Sequence, residues 1–224
     1  MQEQLIKNYH YLEDLFLRLR GFIHPGVTEN EIFEFSKDFL ETMAGESINL
    51  ECCIGTGENS VDPDCQPTNT AIKSGDVVLV DFFPCIGGVY CDMTRIFLVG
   101  DNPAAIRYAA KLEAIFSDIN TLLRPDIFGG ELDSIIRGRV VNTVENNCYS
   151  HHTGHGLSSA QICPPLIAPE SGDIIKVGDV IAIEPGIYLP EQFGLRFENT
   201  YIVTQNAPRC LNSLPFLLHT SRYK

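Results

Sequence analysis

The chain lacks the marks of several common protein classes. It has no run of about 18 apolar residues, the length a helix needs to cross a bilayer, so no membrane span is expected. It opens on MQEQLIKNYHYLEDLFLRLRGF, which has neither the basic start nor the unbroken apolar core of an export signal. Basic residues are scarce, 16 Lys and Arg against 29 Asp and Glu, for a formal net charge of −13. No local Lys/Arg cluster offsets this, which argues against nucleic acid as a partner, because phosphates need a basic footprint. The eight cysteines (52, 53, 65, 85, 91, 148, 163 and 210) contain no Cys-x-x-Cys pair, so a zinc ribbon is not expected. Nor does a chain of 224 residues call for a disulfide framework. No low-complexity linker divides it and no repeat of solenoid period runs through it. The expectation is a cytoplasmic protein folded as one domain, residues 1–224.

What is present is an alternation of helical and strand-like stretches. Leu5, Tyr9, Leu12, Phe16 and Leu19 share one face of a helix over 3–20. A second helix, 28–43, starts with Thr28 and Glu31 spaced as a capping box. Residues 49–54, 77–83 and 89–99 read as strands, 104–123 and 129–146 as helices. After a Gly/His-rich loop come strands near 180–188 and 195–204. Each half is thus helical first and then carries a hairpin with acids in it. That is an α+β layout with segregated helices and antiparallel strands.

The acids sit in unexpected places. In VVLVDFFPCIGGVYCDMTRIF, Asp81 and Asp92 lie on either side of a Pro/Gly turn, and the midpoint between them, Ile86 to Gly87, makes them nearly opposite. In VIAIEPGIYLPEQFGLRFENTYIVT, Glu184 and Glu198 are likewise centred on Glu191. Like charges facing across a ladder repel. One such acid alone reads as an exposed strand position or half of a salt bridge. Four in mirrored settings head for the interior, where an isolated carboxylate is costly unless a cation or proton offsets its charge. Divalent cations resolve the repulsion. His155, in HHTGHGLS between Gly154 and Gly156, offers a further ligand, and its glycines would let the backbone approach it closely. Four carboxylates and one imidazole form a hard donor set, suited to two divalent ions drawn from Mn, Fe, Co or Zn.

Asp81, Asp92, His155, Glu184 and Glu198, in the contexts SGDVVLVDF, CDMTRIF, TGHG, IEPGIY and GLRFENT, closely resemble the pita-bread metalloenzymes. These are the methionine aminopeptidases, the Xaa-Pro aminopeptidases and dipeptidases, and relatives such as creatinase. The resemblance runs from about Gly26 to Thr204, and EPGIYLP followed by GLRFEN is more similar to the Xaa-Pro branch. It implies a curved antiparallel sheet with helices on its outer face and two pseudo-two-fold halves, without the extra N-terminal domain common in that branch. It implies that Asp81 binds one metal through both oxygens, that Asp92 and Glu198 bridge two metals, and that His155 and Glu184 hold the second. Glu184 would also carry a proton, and a water shared by the metals would attack a C–N bond.

The match breaks at two instructive positions. Where the family has a histidine 17 residues before Asp81, this chain has Asp64; where it has another seven residues after His155, this chain has Ile162. In the family those imidazoles contact the scissile amide and the tetrahedral intermediate, and such donors contribute roughly 10² to 10³ each. Peptidase activity at the family's ordinary level is therefore not expected. Phe83 replaces a glycine, adding bulk to the pocket floor, and Ser158 replaces another. Asp64 is a candidate partner for a cationic group on the substrate. His151 and His152 are candidates to supply an imidazole from a new direction, and His151 also matches a family loop position. Arg196 matches an arginine near the family site and is a candidate clamp for a substrate carboxylate. Tyr90 and Thr94 flank Asp92 as candidate supports for the ligand shell, and Cys163 reads as packing. Three functions stay open. They are a two-metal hydrolase of a small amino-acid-like or dipeptide substrate, a metalloenzyme of another kind (lyase, dehydratase or iron/oxygen chemistry) on a small metabolite, and a binding protein that keeps the fold. A homo-oligomer is left open too.

Overall fold

The computed structural model describes residues 2–142, 144, 147–158 and 160–220. Helix α1 (Gln2–Phe22) buries Leu5, Tyr9, Leu12, Phe16 and Leu19 as their spacing predicts, and also Asn8. The Asn8 amide is satisfied there by donating to the carbonyls of Ile86 and Val89 across a hairpin turn. Helix α2 (Glu29–Ala44) starts with both halves of the Thr28/Glu31 capping box and ends at Gly45 with a φ of 73°.

Strands β1 (Asn49–Thr56), β2 (Val77–Ile86), β3 (Val89–Tyr90) and β4 (Met93–Leu98) follow, with a 3-10 turn at Gly57–Val61. The expected helix over 104–123 is broken at Ser117 and Asp118 into α3 (Pro103–Phe116) and α4 (Ile119–Leu122). Helix α5 (Gly129–Val141) is shorter than the expected 129–146, of which residues 143, 145 and 146 lie outside the described residues. The second half then supplies β5 (Gly154–Gly156), β6 (Cys163–Ile167), β7 (Val180–Ile183), β8 (Gly186–Leu189), β9 (Phe193–Arg196), β10 (Asn199–Ile202), β11 (Arg209–Cys210) and β12 (Leu217–His219).

One sheet runs β1-β2-β4-β12 with β3 beside β2, a second runs β11-β10-β7-β5-β6, and β8 and β9 form a hairpin of their own. Pairing is antiparallel except where β12 returns beside β4. Strand β2 is apolar from Val77 to Val80 because both of its faces are covered. Val78, Val80 and Phe82 pack with Leu12 and Phe16 of α1, whereas Val77 and Leu79 join a core shared with Leu112, Ile136 and Ile183. Asp81 follows Leu79 on that second face by simple alternation.

The two halves repeat in detail. The Lys73 amide donates to Asp76 Oδ2 and the Lys176 amide to Asp179 Oδ2, each at 2.7 Å. Each turn carries a glycine at positive φ, 93° at Gly75 and 96° at Gly178, and each leads into a four-residue apolar run followed by an acid, Asp81 or Glu184. The motifs KSGDVVLVD and KVGDVIAIE are one device used twice.

Two local features depart from the expectations. The Gly/His-rich segment forms β5, sandwiched between β6 and β7. Its glycines serve strand neighbours rather than a ligand, because a Cβ at Gly154 would lie 2.2 Å from the Ala182 carbonyl oxygen and one at Gly156 2.6 Å from that of Pro164. Gly154→Ala is therefore expected to lower stability by about 2 kcal/mol or more, or about 4–8 °C in melting temperature. An unchanged transition would mean that β5 does not lie this close to β7. Second, Cys53 and Cys65 are joined by a disulfide, tying the loop after the 3-10 turn to β1; composition carried no sign of this pair. Among the described residues, no helix is long and apolar enough to cross a membrane.

Candidate metal centre

The hairpin register decides which face each acid takes. Asp81 pairs with Thr94 and Ile86 with Val89, so the two-residue turn is Gly87–Gly88, with φ values of 59° and 71°. The expected midpoint at Ile86 to Gly87 was one residue early. Asp92 is two residues from Thr94 and so shares its face, set diagonally to Asp81 rather than directly opposite it. On the second hairpin Ile183 pairs with Asn199 and Gly186 with Arg196, a register that carries Glu184 opposite Glu198 and is centred on Glu191 as expected.

Asp81, Asp92, His155, Glu184 and Glu198 are all buried, and together they form two groups. Oxygens of Asp81, Asp92 and Glu198 lie within 4.8 Å of one another, as do ligand atoms of His152, His155 and Glu184. His155 joins the groups, with Nε2 3.5 Å from Asp92 Oδ2 and 3.4 Å from Glu184 Oε1. Asp81 Oδ1 and Glu198 Oε1 are buried without a hydrogen-bond partner. A buried polar atom in that state is destabilising by about 1–3 kcal/mol, and a cation is the partner that two carboxylate oxygens facing one centre would take.

The electrostatics agree. Burial first, then the charges of Asp81 and Glu184, push the Asp92 carboxyl well above its ordinary range. Burial and then Asp92, Asp81 and Glu184 do the same to Glu198. Asp81 is raised by burial against the opposing pull of the Arg196 guanidinium. Glu184 goes the other way: burial pushes it up, but the hydrogen bond from His152 and the charges of His152 and His155 outweigh this and hold it below the usual carboxylate range. Carboxyls that keep protons when bare are groups from which a divalent ion displaces protons on binding. The oxygen-rich donor set, the orphaned oxygens and the crowding of like charges all fit such ions.

Neighbouring side chains fix the ligands. Thr94 Oγ1 donates to Glu198 Oε2 at 2.9 Å, the support expected of it, whereas Tyr90 lines a separate apolar pocket with Leu5 and Leu157. The Tyr9 hydroxyl meets both the amide and the carbonyl of Asp92 at 3.2 Å. Arg95, fully buried, donates to the Glu198 carbonyl at 2.6 Å and to Asn199 Oδ1 at 2.9 Å. Arg137 on α5 donates to the carbonyls of Tyr149 and His151, and Thr153 Oγ1 donates to Asp133 on the same helix. The histidine segment is thereby clamped along its backbone. Composition and spacing pointed to none of Tyr9, Arg95, Asp133 or Arg137. An arginine inside MTRIFL, a run that is otherwise apolar but for Thr94, was the one readable signal.

The other candidates surround one cleft of about 570 Å³ that is partly open to solvent, with Asp81, Asp92, His155 and Glu184 in its lining. Asp64 and Ile162 are exposed in its lining, Ile162 at 49% exposure, and Phe83 is half-buried there. Arg196 lies in the wall, but its guanidinium is already engaged, with Asp81 Oδ2 at 2.6 Å, the Pro63 carbonyl at 2.9 Å and the Tyr188 hydroxyl at 3.1 Å. A substrate carboxylate would have to compete with Asp81 for it. The Tyr188 hydroxyl also meets His151 Nε2 at 2.7 Å. Burial brings His151 down to about 4, so its ring is neutral at physiological pH. His152 Nε2 stands 2.9 Å from Glu184 Oε1. Cys163 Sγ contacts Ser158 Oγ at 3.5 Å.

Comparison with known proteins gives one answer from three directions. The sequence profile of metallopeptidase family M24 matches residues 5–205. A putative Xaa-Pro aminopeptidase of Mycoplasma genitalium is 30% identical over 191 residues, 84% of this chain and 54% of that protein. An Xaa-Pro dipeptidase of Pyrococcus furiosus is 29% identical over 84% of this chain and 55% of its own length. The crystal structure of an Xaa-Pro dipeptidase from Bacillus anthracis superposes with a TM-score of 0.89 at 27% identity, covering 96% of this chain and 61% of the other. The chain thus spans little more than half the length of the curated relatives it matches. With its pita-bread α+β fold and its matched span of residues 5–205, the chain belongs to metallopeptidase family M24.

Proposed function

We propose that the protein is a cytoplasmic two-metal hydrolase that cleaves a C–N or amide bond in a small amino-acid-like or dipeptide substrate. The observation that carries this reading is the pair of joined ligand groups, Asp81/Asp92/Glu198 and His152/His155/Glu184, at one cleft. Asp81, Asp92 and Glu198 would hold one ion, and His155 and Glu184 would hold the second. Such ions, when bound, supply a water of lowered pKa and polarise the attacked carbonyl. The chain's own residues supply the rest. Glu184, held below the usual carboxylate range, is ionised at neutral pH, and proton uptake by it would require the pull of His152, His155 and their neighbours to be relieved. Neutral His151, hydrogen-bonded to Tyr188, offers an uncharged imidazole to the cleft wall. Asp64 presents an anion to a cationic group of the substrate, and Phe83 and Ile162 give apolar surface. Short peptides are the substrate class that the names of the relatives suggest.

The absence of imidazoles at Asp64 and Ile162 favours a second reading, a lyase, dehydratase or iron/oxygen reaction on a small metabolite. The deciding experiment is metal analysis of protein purified without added metal and then reloaded with Mn, Fe, Co or Zn, with Asp81→Ala as control, followed by assay on Xaa-Pro dipeptides and aminoacyl amides. The expected result is about two ions per chain, fewer in the control, and cleavage that chelation abolishes and metal restores. Two ions with no cleavage would favour the second reading. No ions under any loading would leave the binding-protein reading.

A further inference from the structure

His152 stands outside the five-ligand set that the sequence resemblance implies, yet its imidazole lies inside the second group. Its Nε2 is 2.9 Å from Glu184 Oε1, and His155 Nε2 is 3.4 Å from that same oxygen and 3.5 Å from Asp92 Oδ2. Donor atoms sharing one ion through bonds of about 2.0–2.2 Å stand roughly 3.0–3.5 Å apart. The three separations therefore match the edges of a single coordination polyhedron. The two rings meet edge to face, at 82° with centroids 5.3 Å apart, and ligand atoms of both histidines and Glu184 lie within 4.8 Å of one another. His155 Nδ1 faces the Gly156 carbonyl at 3.0 Å, which assigns its proton to Nδ1 and leaves the Nε2 lone pair toward the centre. His152 is held from both sides, because Arg137 grips the carbonyl of His151 and Asp133 accepts from Thr153.

We infer that His152 is a sixth protein ligand, which gives the ion at His155 and Glu184 a second nitrogen. The inference rests on the two-metal reading above. It makes the centre chemically lopsided. The ion among Asp81, Asp92 and Glu198 sees only oxygen, the donor set of Mg and Mn, whereas the other sees two imidazoles, which suit Zn, Co or Fe. A mixed centre, with manganese on the oxygen side and a nitrogen-seeking ion on the other, is the consequence.

X-ray absorption at the metal edge counts imidazoles directly, and a residue that merely hydrogen-bonds to Glu184 would not change the count. Protein loaded with two cobalt ions should show an average of one imidazole per ion, falling to one half in His152→Gln. The variant should lose at least tenfold in zinc affinity while manganese affinity changes less than threefold. Two ions with an average of one half imidazole each in the unmodified protein would overturn this inference alone, whether or not the variant folds. Fewer than two ions per unmodified chain would overturn the two-metal reading beneath it.

Discussion

Asp92→Asn is expected to raise the melting temperature of the metal-free protein at pH 7.5 and to abolish the further rise that manganese gives the unmodified chain. The Asp92 carboxyl is pushed well above its ordinary range by burial and by Asp81 and Glu184. A carboxyl whose folded pKa is raised stabilises the fold fully below its unfolded pKa, near 4, and loses that contribution as pH rises through the folded value. At neutral pH the metal-free chain must therefore either keep a proton on Asp92 or bury its charge. Asparagine has nearly the same shape with no charge to bury, and the effective penalty of burying an uncompensated ion is several kcal/mol. Even 1–2 kcal/mol is about 2–8 °C for a chain of this size. The gain should vanish near pH 4 and grow toward pH 8. Metal reverses the comparison. At a hundredfold excess over Kd a bound ion stabilises by about 2.7 kcal/mol, or about 5–11 °C, in the unmodified chain alone. Calorimetry with and without manganese reads both effects. A variant that melts lower when metal-free would mean that Asp92 is ionised and paired in that state.

Asp64→His combined with Ile162→His is expected to raise kcat/KM on Xaa-Pro dipeptides by a factor of about 10² or more. Donors aimed at the charge developing on an attacked carbonyl contribute roughly 10² to 10³ each. Both positions line the cleft beside Asp81, His155 and Glu184, and both are exposed enough to take an imidazole without repacking the core. The Cys53–Cys65 bridge holds the loop of Asp64 against β1, so the new imidazole enters at a fixed place. Single variants separate the two contributions. An unchanged rate in the double variant, with metal content intact, would mean that peptides are not the natural substrate and that the reaction draws its acid and base from elsewhere.

The parts of this molecule that could be read from its sequence follow short-range rules. The α1 stripe, the Thr28 cap and the acids that close two apolar runs all depend on period and local chemistry, and all lie where those rules put them. The residue-by-residue resemblance added the assignment of the five ligands. The Asp81–Asp92 hairpin was off by one because the Pro84 segment looked like part of the turn, whereas β2 runs through it and the turn is Gly87–Gly88. Strands β5 and β6 were missed because a Gly-His-Gly strand has no apolar alternation to show; it exists only because β6 and β7 come close on either side. Asn8, Tyr9, Arg95 and Arg137 act across 12 to 103 residues of sequence, and no local pattern encodes a partner that distant.

The acids come from hairpins in both halves of the chain, and the candidate ion among Asp81, Asp92 and Glu198 would draw ligands from both. Asp81 and Asp92 come from the half built on α1 and α2; His155, Glu184 and Glu198 come from the other. Bound ions would thus add a polar tie between two half-molecules that already share an apolar core. The supply of metal in the cell would then govern how long the chain survives proteolysis, as well as whether it works.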